Sequence, residues 1–180
     1  MKSVFKKVFV IFTVSLMLIV FSGCDEKEPL ITSGEFPIIL EYEYEGQTYI
    51  IEDIVVCTYK KIVYDSGGPR GSRWYSSSLK NNSSTVILQF EENTESLMVP
   101  GQINKKSYII LDCGQGGYYL GDPEDTDRGP YIFYQELHQV YSSGGTRIEQ
   151  TKLTNQQLQE IFGIKIIRFE FGSPIENTFE

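Results

Sequence analysis

Two pairs of adjacent aromatic residues, Trp74-Tyr75 and Tyr118-Tyr119, lie in segments rich in glycine and polar residues. Aromatic rings on the loops of a β-scaffold can stack on sugar rings or anchor a protein partner, because they offer a large apolar surface. Large aromatic side chains are more often buried in a core, and burial is the alternative. We interpret these four residues as candidate contacts for a ligand or partner.

Carboxylates form two groups in the sequence. Glu41, Glu43 and Glu45 share one face of a predicted strand, about 7 Å apart, a spacing that inverting glycosidases use. Alternating glutamates are also typical of a solvated strand face, which is the interpretation we favour. The second group could offer oxygen ligands to Ca²⁺, although without EF-hand spacing; it comprises Asp122, Glu124, Asp125 and Asp127. We favour a solvated acidic loop without a metal, and calcium binding is the alternative.

The residues that could support nucleophilic catalysis are few. Ser77 and Lys80 have SxxK spacing, which requires a helix to place the amine beside the hydroxyl, and here they lie in a segment predicted as a loop. His138, the only histidine, lies on a predicted strand, where we expect a surface or edge position. Catalysis through it would also need an orienting group and an oxyanion site. We therefore predict no catalytic residue, no cofactor and a protein that is not an enzyme.

The cysteine at position 24 follows a segment typical of bacterial export signals. Lysines precede an uncharged apolar run, residues 8–21, and the small residues Ser22 and Gly23 lead to Cys24. A membrane-spanning helix needs about 20 apolar residues, so the run favours a cleaved signal over a permanent anchor. The segment resembles the lipobox of bacterial lipoproteins, with Phe21 where leucine is common. We predict cleavage before Cys24, attachment of diacylglycerol and fatty acids such as palmitate to it, and a lipid-anchored, extracytoplasmic location at the cell membrane.

Cys57 and Cys113 are the other two cysteines. Outside the cytoplasm a disulfide between them is permitted, and it would close a loop of about 55 residues worth roughly 4 kcal/mol. The alternative is that both are small buried apolar residues. The spacing leaves both open, because a disulfide also requires a short Cα separation.

The charge of the chain excludes one class of partner. The net charge is −8, and the predicted signal holds basic residues but no acidic ones, so the remaining domain is more acidic still. Such a domain is repelled by nucleic acid and by anionic lipid head groups, so we also expect it to stand away from the bilayer. We therefore predict no nucleic-acid binding.

The first half of the chain alternates with a period of two. Residues 24–35 are polar and predict a lipidated terminus followed by a tether of at most about 40 Å. Residues 36–44 and 49–59 predict a hairpin that turns at Glu45-Gly46. Residues 60–64 either extend that hairpin or form a short strand of their own, and residues 65–84 are predicted to be mostly loop.

The second half predicts further short strands at 86–90, 96–99, 107–112 and 118–120, and then an acidic loop at 121–130. A second long hairpin follows, with strands at 131–141 and 146–153 and a turn at 142–145. Thr154 and Gln157 have capping-box spacing and Gly163 follows an apolar stripe, which predicts one helix. Residues 164–171 predict a closing strand.

These elements predict a mainly β fold, an antiparallel β-sandwich or open barrel with one short C-terminal helix. The predicted organisation is a signal peptide at 1–23, a lipidated terminus and tether at 24–35, and one globular domain at 36–180.

Two segments carry a family resemblance. They are residues 41–59, which contain EYEYEGQTY and VCTY, and residues 163–177, GIKIIRFEFGSPIEN. Together with the lipobox they resemble small uncharacterised lipid-anchored lipoproteins of Gram-positive bacteria. The resemblance implies a lipid-bearing role for Cys24.

The function we expect is that of a non-enzymatic surface module that binds a protein or glycan partner through the segments 65–80 and 114–130. A hydrolase that acts on the envelope through surface carboxylates, and a structural envelope protein without a ligand, are the alternatives.

Overall fold

The computed structural model describes residues 27–64, 71–81, 83–90, 94–140 and 145–180. The predicted signal peptide and Cys24 lie outside these described residues. The described chain forms, in order, the strands β1 (Ser33–Tyr44), β2 (Gln47–Tyr64), β3 (Gly71–Leu79), β4 (Val86–Phe90) and β5 (Lys106–Asp112), the short helix α1 (Gly116–Tyr119), strands β6 (Tyr131–Val140) and β7 (Gly145–Lys152), helix α2 (Asn155–Phe162) and strand β8 (Lys165–Phe171).

The strands form two four-stranded antiparallel sheets, with the orders β3-β2-β1-β8 and β4-β5-β6-β7. The chain builds the first three strands of one sheet, completes the other as a meander, and returns through α2 to place β8 beside β1. The predicted mainly β fold class with a short C-terminal helix is confirmed, and of the two predicted alternatives, sandwich or open barrel, the two sheets form a sandwich-like arrangement.

The core lies between the two sheets, because each sheet turns one apolar face inward. Along β1 the buried residues Phe36, Ile38, Leu40 and Tyr42 alternate with more exposed ones, as the period of two requires. The opposite sheet, the helices and the turns contribute further buried apolar residues, which include Ile109, Leu111, Ile132, Tyr134, Tyr119, Leu120, Leu158 and Ile164.

The first hairpin is confirmed, since β1 and β2 pair in one continuous register from Ser33↔Thr58 to Tyr44↔Gln47. Residues 60–64 extend β2. The prediction of a mostly loop segment at 65–84 is wrong for residues 71–79, which form β3 and pair with β2. Their polar composition suits an edge strand, which has only one strand neighbour and one solvated side.

Two short predicted strands are also wrong. Residues 96–99 form a turn in which the Ser96 hydroxyl accepts hydrogen bonds from the backbone amides of Met98 and Val99, at 3.2 and 2.7 Å. Residues 118–120 belong to the helical turn of α1 and its end, where the amide of Leu120 donates to the carbonyl of Gly116 at 3.0 Å. The second hairpin is confirmed as β6 and β7, and most of its turn lies outside the described residues.

Helix α2 begins and ends as predicted. The Thr154 hydroxyl accepts from the amide of Gln157 at 3.2 Å, and the Gln157 side chain accepts from the amide of Thr154 at 2.9 Å. Gly163 follows with φ 69°, the left-handed conformation that closes a helix and that glycine adopts without strain.

The folded domain begins earlier than predicted. Backbone hydrogen bonds join Glu28 to Glu180 and Leu30 to Thr178, at 2.8 to 2.9 Å, and β1 starts at Ser33. The predicted tether at 24–35 is therefore too long, because residues 28–35 belong to the fold. Within the described part of the chain, no helix has the length and apolar character to cross a membrane.

Candidate functional site

A cleft of about 440 Å³ lies between strand β3 and the segment that runs from the start of α1 into the acidic loop. We call it the β3 cleft. Its walls are formed by Ser72, Arg73, Trp74, Tyr75, Ser77, Gln115, Gly116, Asp122, Glu124, Asp125 and Arg128. The two segments in which the sequence predicts partner contacts therefore meet at one site.

A buried ion pair connects the two walls of the β3 cleft. Arg73 donates to Asp122 through two parallel hydrogen bonds, Nε to Oδ2 at 2.7 Å and Nη2 to Oδ1 at 2.9 Å. Only 6% and 2% of the two side chains are exposed. The Tyr75 hydroxyl donates to the same carboxylate at 2.8 Å. This bidentate hydrogen bonding between Arg73 and Asp122 fixes the acidic loop against β3.

The pKa values of this group follow from its contacts. Burial raises the pKa of Asp122, but hydrogen bonds from Arg73, the Glu124 amide and Tyr75 outweigh burial and lower it overall. Burial and the neighbouring Asp122 raise the pKa of Tyr75. At neutral pH the Asp122 carboxylate is therefore charged, and Tyr75 is neutral and donates a hydrogen bond to that carboxylate.

The opening of the cleft carries groups that are free to reach a ligand. The Trp74 side chain is 55% exposed and lies beside the ammonium group of Lys61, 5.7 Å from the ring centre. Arg128 donates to the Gln115 side chain at 3.0 Å and lies 3.3 Å from Asp125. Glu124 is exposed. Trp74 therefore lies at the edge of the cleft, on the face of β3 opposite to Arg73 and Tyr75, and the amide, carboxylate and guanidinium groups lie at its opening.

Two glycines allow α1 to approach β3 so closely. A Cβ at Gly116 would lie 2.9 Å from the carbonyl oxygen of Ser76, and a Cβ at Gly117 would lie 1.9 Å from an Asp125 carboxylate oxygen. Any larger residue at position 117 would displace that carboxylate. The absence of side chains at these two positions therefore allows α1 to lie directly against β3 and the acidic loop.

The four predicted aromatic contacts separate into two groups. Trp74 and Tyr75 line the β3 cleft. Tyr119 is a core residue: its side chain is fully buried, its ring packs 4.7 Å from that of Phe36, and its hydroxyl donates to the Cys113 carbonyl at 2.7 Å. Tyr118 is half-buried and packs edge-on against Tyr119, outside the cleft lining. The prediction of a ligand contact is therefore wrong for the buried Tyr119, and for Tyr118 it stays a prediction.

The candidate carboxylates also separate. Glu41 lies opposite Arg168 in the pairing of β1 with β8, and Glu43 lies 3.9 Å from Lys165. Both are outside the cleft lining. Asp122, Glu124 and Asp125 of the acidic loop line the cleft instead. Among the described residues, no three His, Cys, Asp or Glu side chains converge to hold a metal ion.

Ser77 and Lys80 do not form an SxxK pair, because the first lies on a strand rather than a helix. The Ser77 hydroxyl donates to the carbonyl of Gly114 at 3.2 Å, and Lys80 pairs with Glu35 at 2.8 Å.

The expectation that His138 lies at the surface or an edge is wrong. His138 and Glu136 both point inward from β6 and are 4% and 0% exposed. His138 Nε2 lies 3.0 Å from a Glu136 oxygen, and Ser96 and Tyr134 donate to the same carboxylate. The turn at 94–104 covers this network, and its Leu97 amide donates to Glu136 at 2.7 Å.

This buried network is not a nucleophile with its base. The Ser96 hydroxyl and His138 both bond to Glu136 rather than to each other, whereas a nucleophilic serine requires the imidazole as its partner. Burial raises the pKa of Glu136, but the hydrogen bonds from Ser96, Tyr134 and the Leu97 amide lower it overall. Its negative charge holds the covering turn onto the sheet.

Asp53 is a second buried acid that the sequence pattern does not reveal. It is 3% exposed and accepts hydrogen bonds from the amides of Ile54, Asn81 and Ser83 at 2.7 to 3.2 Å. Burial raises its pKa, yet these bonds hold it at about 2. Asp53 thus fixes the turn that follows β3.

The two inner cysteines are free thiols in the structure, so the disulfide considered from the sequence is not formed in it. Burial raises the pKa of Cys57 to about 12. Burial, together with the nearby Asp112 and Asp53, raises that of Cys113 to about 11. Both thiols therefore stay protonated at neutral pH.

Comparisons of this chain with protein-family models, with curated proteins and with solved structures found no match.

Proposed function

We propose that this protein is a lipid-anchored, extracytoplasmic and non-enzymatic domain that binds a glycan in the β3 cleft. The observation that carries the proposal is a cleft of ligand size whose walls include Tyr75 and fixed polar side chains, with the exposed Trp74 at its edge. Both sides of the cleft come from segments that the sequence singles out as candidate contact regions.

The chemistry of the cleft suits a sugar. The indole of Trp74 offers an apolar face for the C–H face of a pyranose ring. Glu124, Arg128 and Gln115 offer acceptors and donors at the opening, which match hydroxyl groups that both donate and accept. Ligand pockets commonly have volumes of about 300–1,000 Å³ with a few convergent polar groups, and this cleft falls in that range.

The buried Arg73–Asp122 pair supports the proposal because it keeps the binding groups in place before a ligand arrives. A site that is ordered in advance loses less entropy on binding. The pair is held on two sides, by Tyr75 and by the amide of Glu124 at 3.0 Å. Glu124 and Asp125 are therefore presented from a fixed loop.

The lipid anchor is proposed on the residues that precede position 24, and membrane attachment through the lipid on Cys24 follows from it. Two or more acyl chains give stable attachment, because each buried CH₂ contributes about 0.8 kcal/mol.

A glycan array tests the proposal. The full-length protein, processed by its producing cell and purified in detergent, is applied to neutral, amino-sugar and acidic oligosaccharides. We expect binding that Trp74→Ala weakens at least tenfold, about 1.4 kcal/mol. Ile148→Ala is the matched control, because Ile148 is 56% exposed on β7 of the other sheet. Array binding that Trp74→Ala leaves unchanged, or no binding at all, would contradict the proposal. Capture of a protein by cross-linking through the cleft would show that the ligand is a protein rather than a glycan.

A further inference from the structure

We infer that one end of the domain docks directly on the bilayer surface; the inference rests on the proposed lipidation of Cys24. This end, which we call the anchor end, consists of the last residues of β2 and the paired chain termini. Its exposed apolar, aromatic and basic residues include Leu30, Ile31, Lys60, Lys61, Val63 and Tyr64.

The short connection to Cys24 is the first argument. The carbonyl of Lys27 already accepts a hydrogen bond from Arg73 Nη1 at 3.2 Å, and Glu28 is joined to Glu180. Three residue steps separate Cys24 from Lys27, which span at most about 11 Å when fully extended. A domain on such a connection cannot stand away from the membrane.

The position of Arg73 shows which surface of the domain faces the bilayer when the chain is anchored at Cys24. Its guanidinium contacts Lys27 and lies 4.6 Å from the ring centre of Phe179, which pairs with Pro29. On β3 it is the register partner of Ile62. The end of β2 therefore lies beside the point where the chain leaves the fold toward Cys24.

The chemistry of the anchor end suits the bilayer interface. Leu30 and Tyr64 are 59% and 60% exposed, and Val63 is 40% exposed. Apolar and aromatic side chains with flanking lysines are typical of this zone, where Lys60 and Lys61 can keep their ammonium groups in the headgroups. Glu28 and Glu180 lie here too, so apolar contact rather than net charge is the attraction.

The only tryptophan of the chain makes the inference testable. Trp74 lies between the anchor end and the β3 cleft, beside Lys61 and in a shallow groove that Val63 also lines. The full-length lipidated protein is placed in vesicles of phosphatidylglycerol and phosphatidylethanolamine that contain lipids brominated near the headgroup. We expect at least a twofold loss of Trp74 emission relative to unbrominated vesicles, because docking brings this ring close to the headgroups.

One variant tests which surface docks, and a second variant provides the control. Leu30→Asp combined with Val63→Asp should remove at least half of the quenching, because both charges resist entry into the interface. Ile148→Asp combined with Val86→Asp introduces the same two changes at similarly exposed positions on the opposite sheet and should leave the quenching unchanged.

The outcomes separate this inference from the proposed anchor. Vesicle flotation and the intact mass of the same sample report acylation independently of Trp74. A protein that is acylated and floats, yet shows no bromine quenching, overturns the docking alone. A protein that bears no acyl chains and does not float overturns the anchor and the docking together.

Discussion

Asp122 is the single residue on which the shape of the β3 cleft depends most. Its carboxylate receives both donors of the buried Arg73 and the hydroxyl of Tyr75. Removal of one partner of a buried ion pair leaves the other charge without compensation, which costs about 3–5 kcal/mol in known cases. The pair therefore matters for stability mainly because breaking it leaves a buried charge without a partner.

We accordingly expect Asp122→Asn to lower the free energy of unfolding by about 3 kcal/mol and to abolish glycan binding. Urea denaturation followed by circular dichroism measures the first effect. Asp127→Asn is the control, because Asp127 is an exposed acid in the same loop and should change the free energy of unfolding by less than about 0.5 kcal/mol. Equal stability of the two variants would show that the ion pair does not hold the loop.

The two inner thiols give a second prediction for single residues. Because burial raises the pKa of Cys57 and Cys113 to about 12 and 11, little thiolate exists at pH 8. We expect both to react with a thiol reagent only slowly in the folded protein and rapidly in guanidinium chloride. A denatured, unreduced protein in which neither thiol reacts would instead reveal the disulfide between them.

Single residues also explain why the sequence predicted the segments of the β3 cleft but not the buried network around Glu136. The period of two puts Glu136 and His138 on one face of β6, but it does not reveal that this face is the buried one. Polar residues normally face water. Here Ser96 and the Leu97 amide come from a distant turn to satisfy the carboxylate, and no local pattern reports such a partner.

Among the elements, helix α2 was the most predictable, because its signals are local. Thr154, Gln157 and Gly163 act within a few residues of one another, as the hydrogen bonds and the φ of Gly163 confirm. Strand β3 was the least predictable. Its sequence is polar, and its conformation is set by pairing with β2 and by the Asp122 carboxylate that Arg73 and Tyr75 reach.

The cap of α2 supplies a prediction at this scale. Thr154→Ala removes the hydroxyl that accepts from the Gln157 amide and should lower the free energy of unfolding by about 1 kcal/mol. Thr154→Ser keeps the hydroxyl and should retain most of the stability. Thermal unfolding of the two variants measures the difference, and equal losses would show that the methyl group rather than the cap matters.

For the whole molecule, buried carboxylates determine how stability depends on pH. Hydrogen bonds lower the pKa of Asp53, Asp122 and Glu136, against the opposing effect of burial. A lowered pKa in the folded state stabilises the fold above the unfolded value, about 4, and this stabilisation is lost as the pH falls through the folded value. Asp125 acts in the opposite direction, because burial raises its pKa.

With three such groups against one, we expect the free energy of unfolding to fall between about pH 4 and pH 2, the folded-state value of Asp53. Urea midpoints at pH 7, 4 and 2.5 measure this, and Asp53→Asn should flatten the lowest part of the curve. A midpoint that is unchanged or higher at pH 2.5 would contradict the assignment of these carboxylates as charged, hydrogen-bonded groups.

The arrangement of the molecule follows from the place where its chain leaves the fold. The paired segments 28–30 and 178–180 and Arg73 bring the end of β2, and with it one side of the β3 cleft, close to Lys27, the first described residue. Under the proposed lipidation of Cys24, three residue steps away, a ligand bound in the cleft would lie at the membrane surface. The sequence predicted the anchor but placed it on a long tether, because the polar residues 28–35 gave no sign that they pair with the C-terminus and β2.

Mass spectrometry of the protein purified from its native membrane tests the central claim, that acylated Cys24 holds the folded domain at the cell surface. We predict an amino-terminal peptide that begins at Cys24 and carries the mass of a diacylglycerol group, with residues 1–23 absent. An intact amino terminus, or a processed one without fatty acids, would contradict the account.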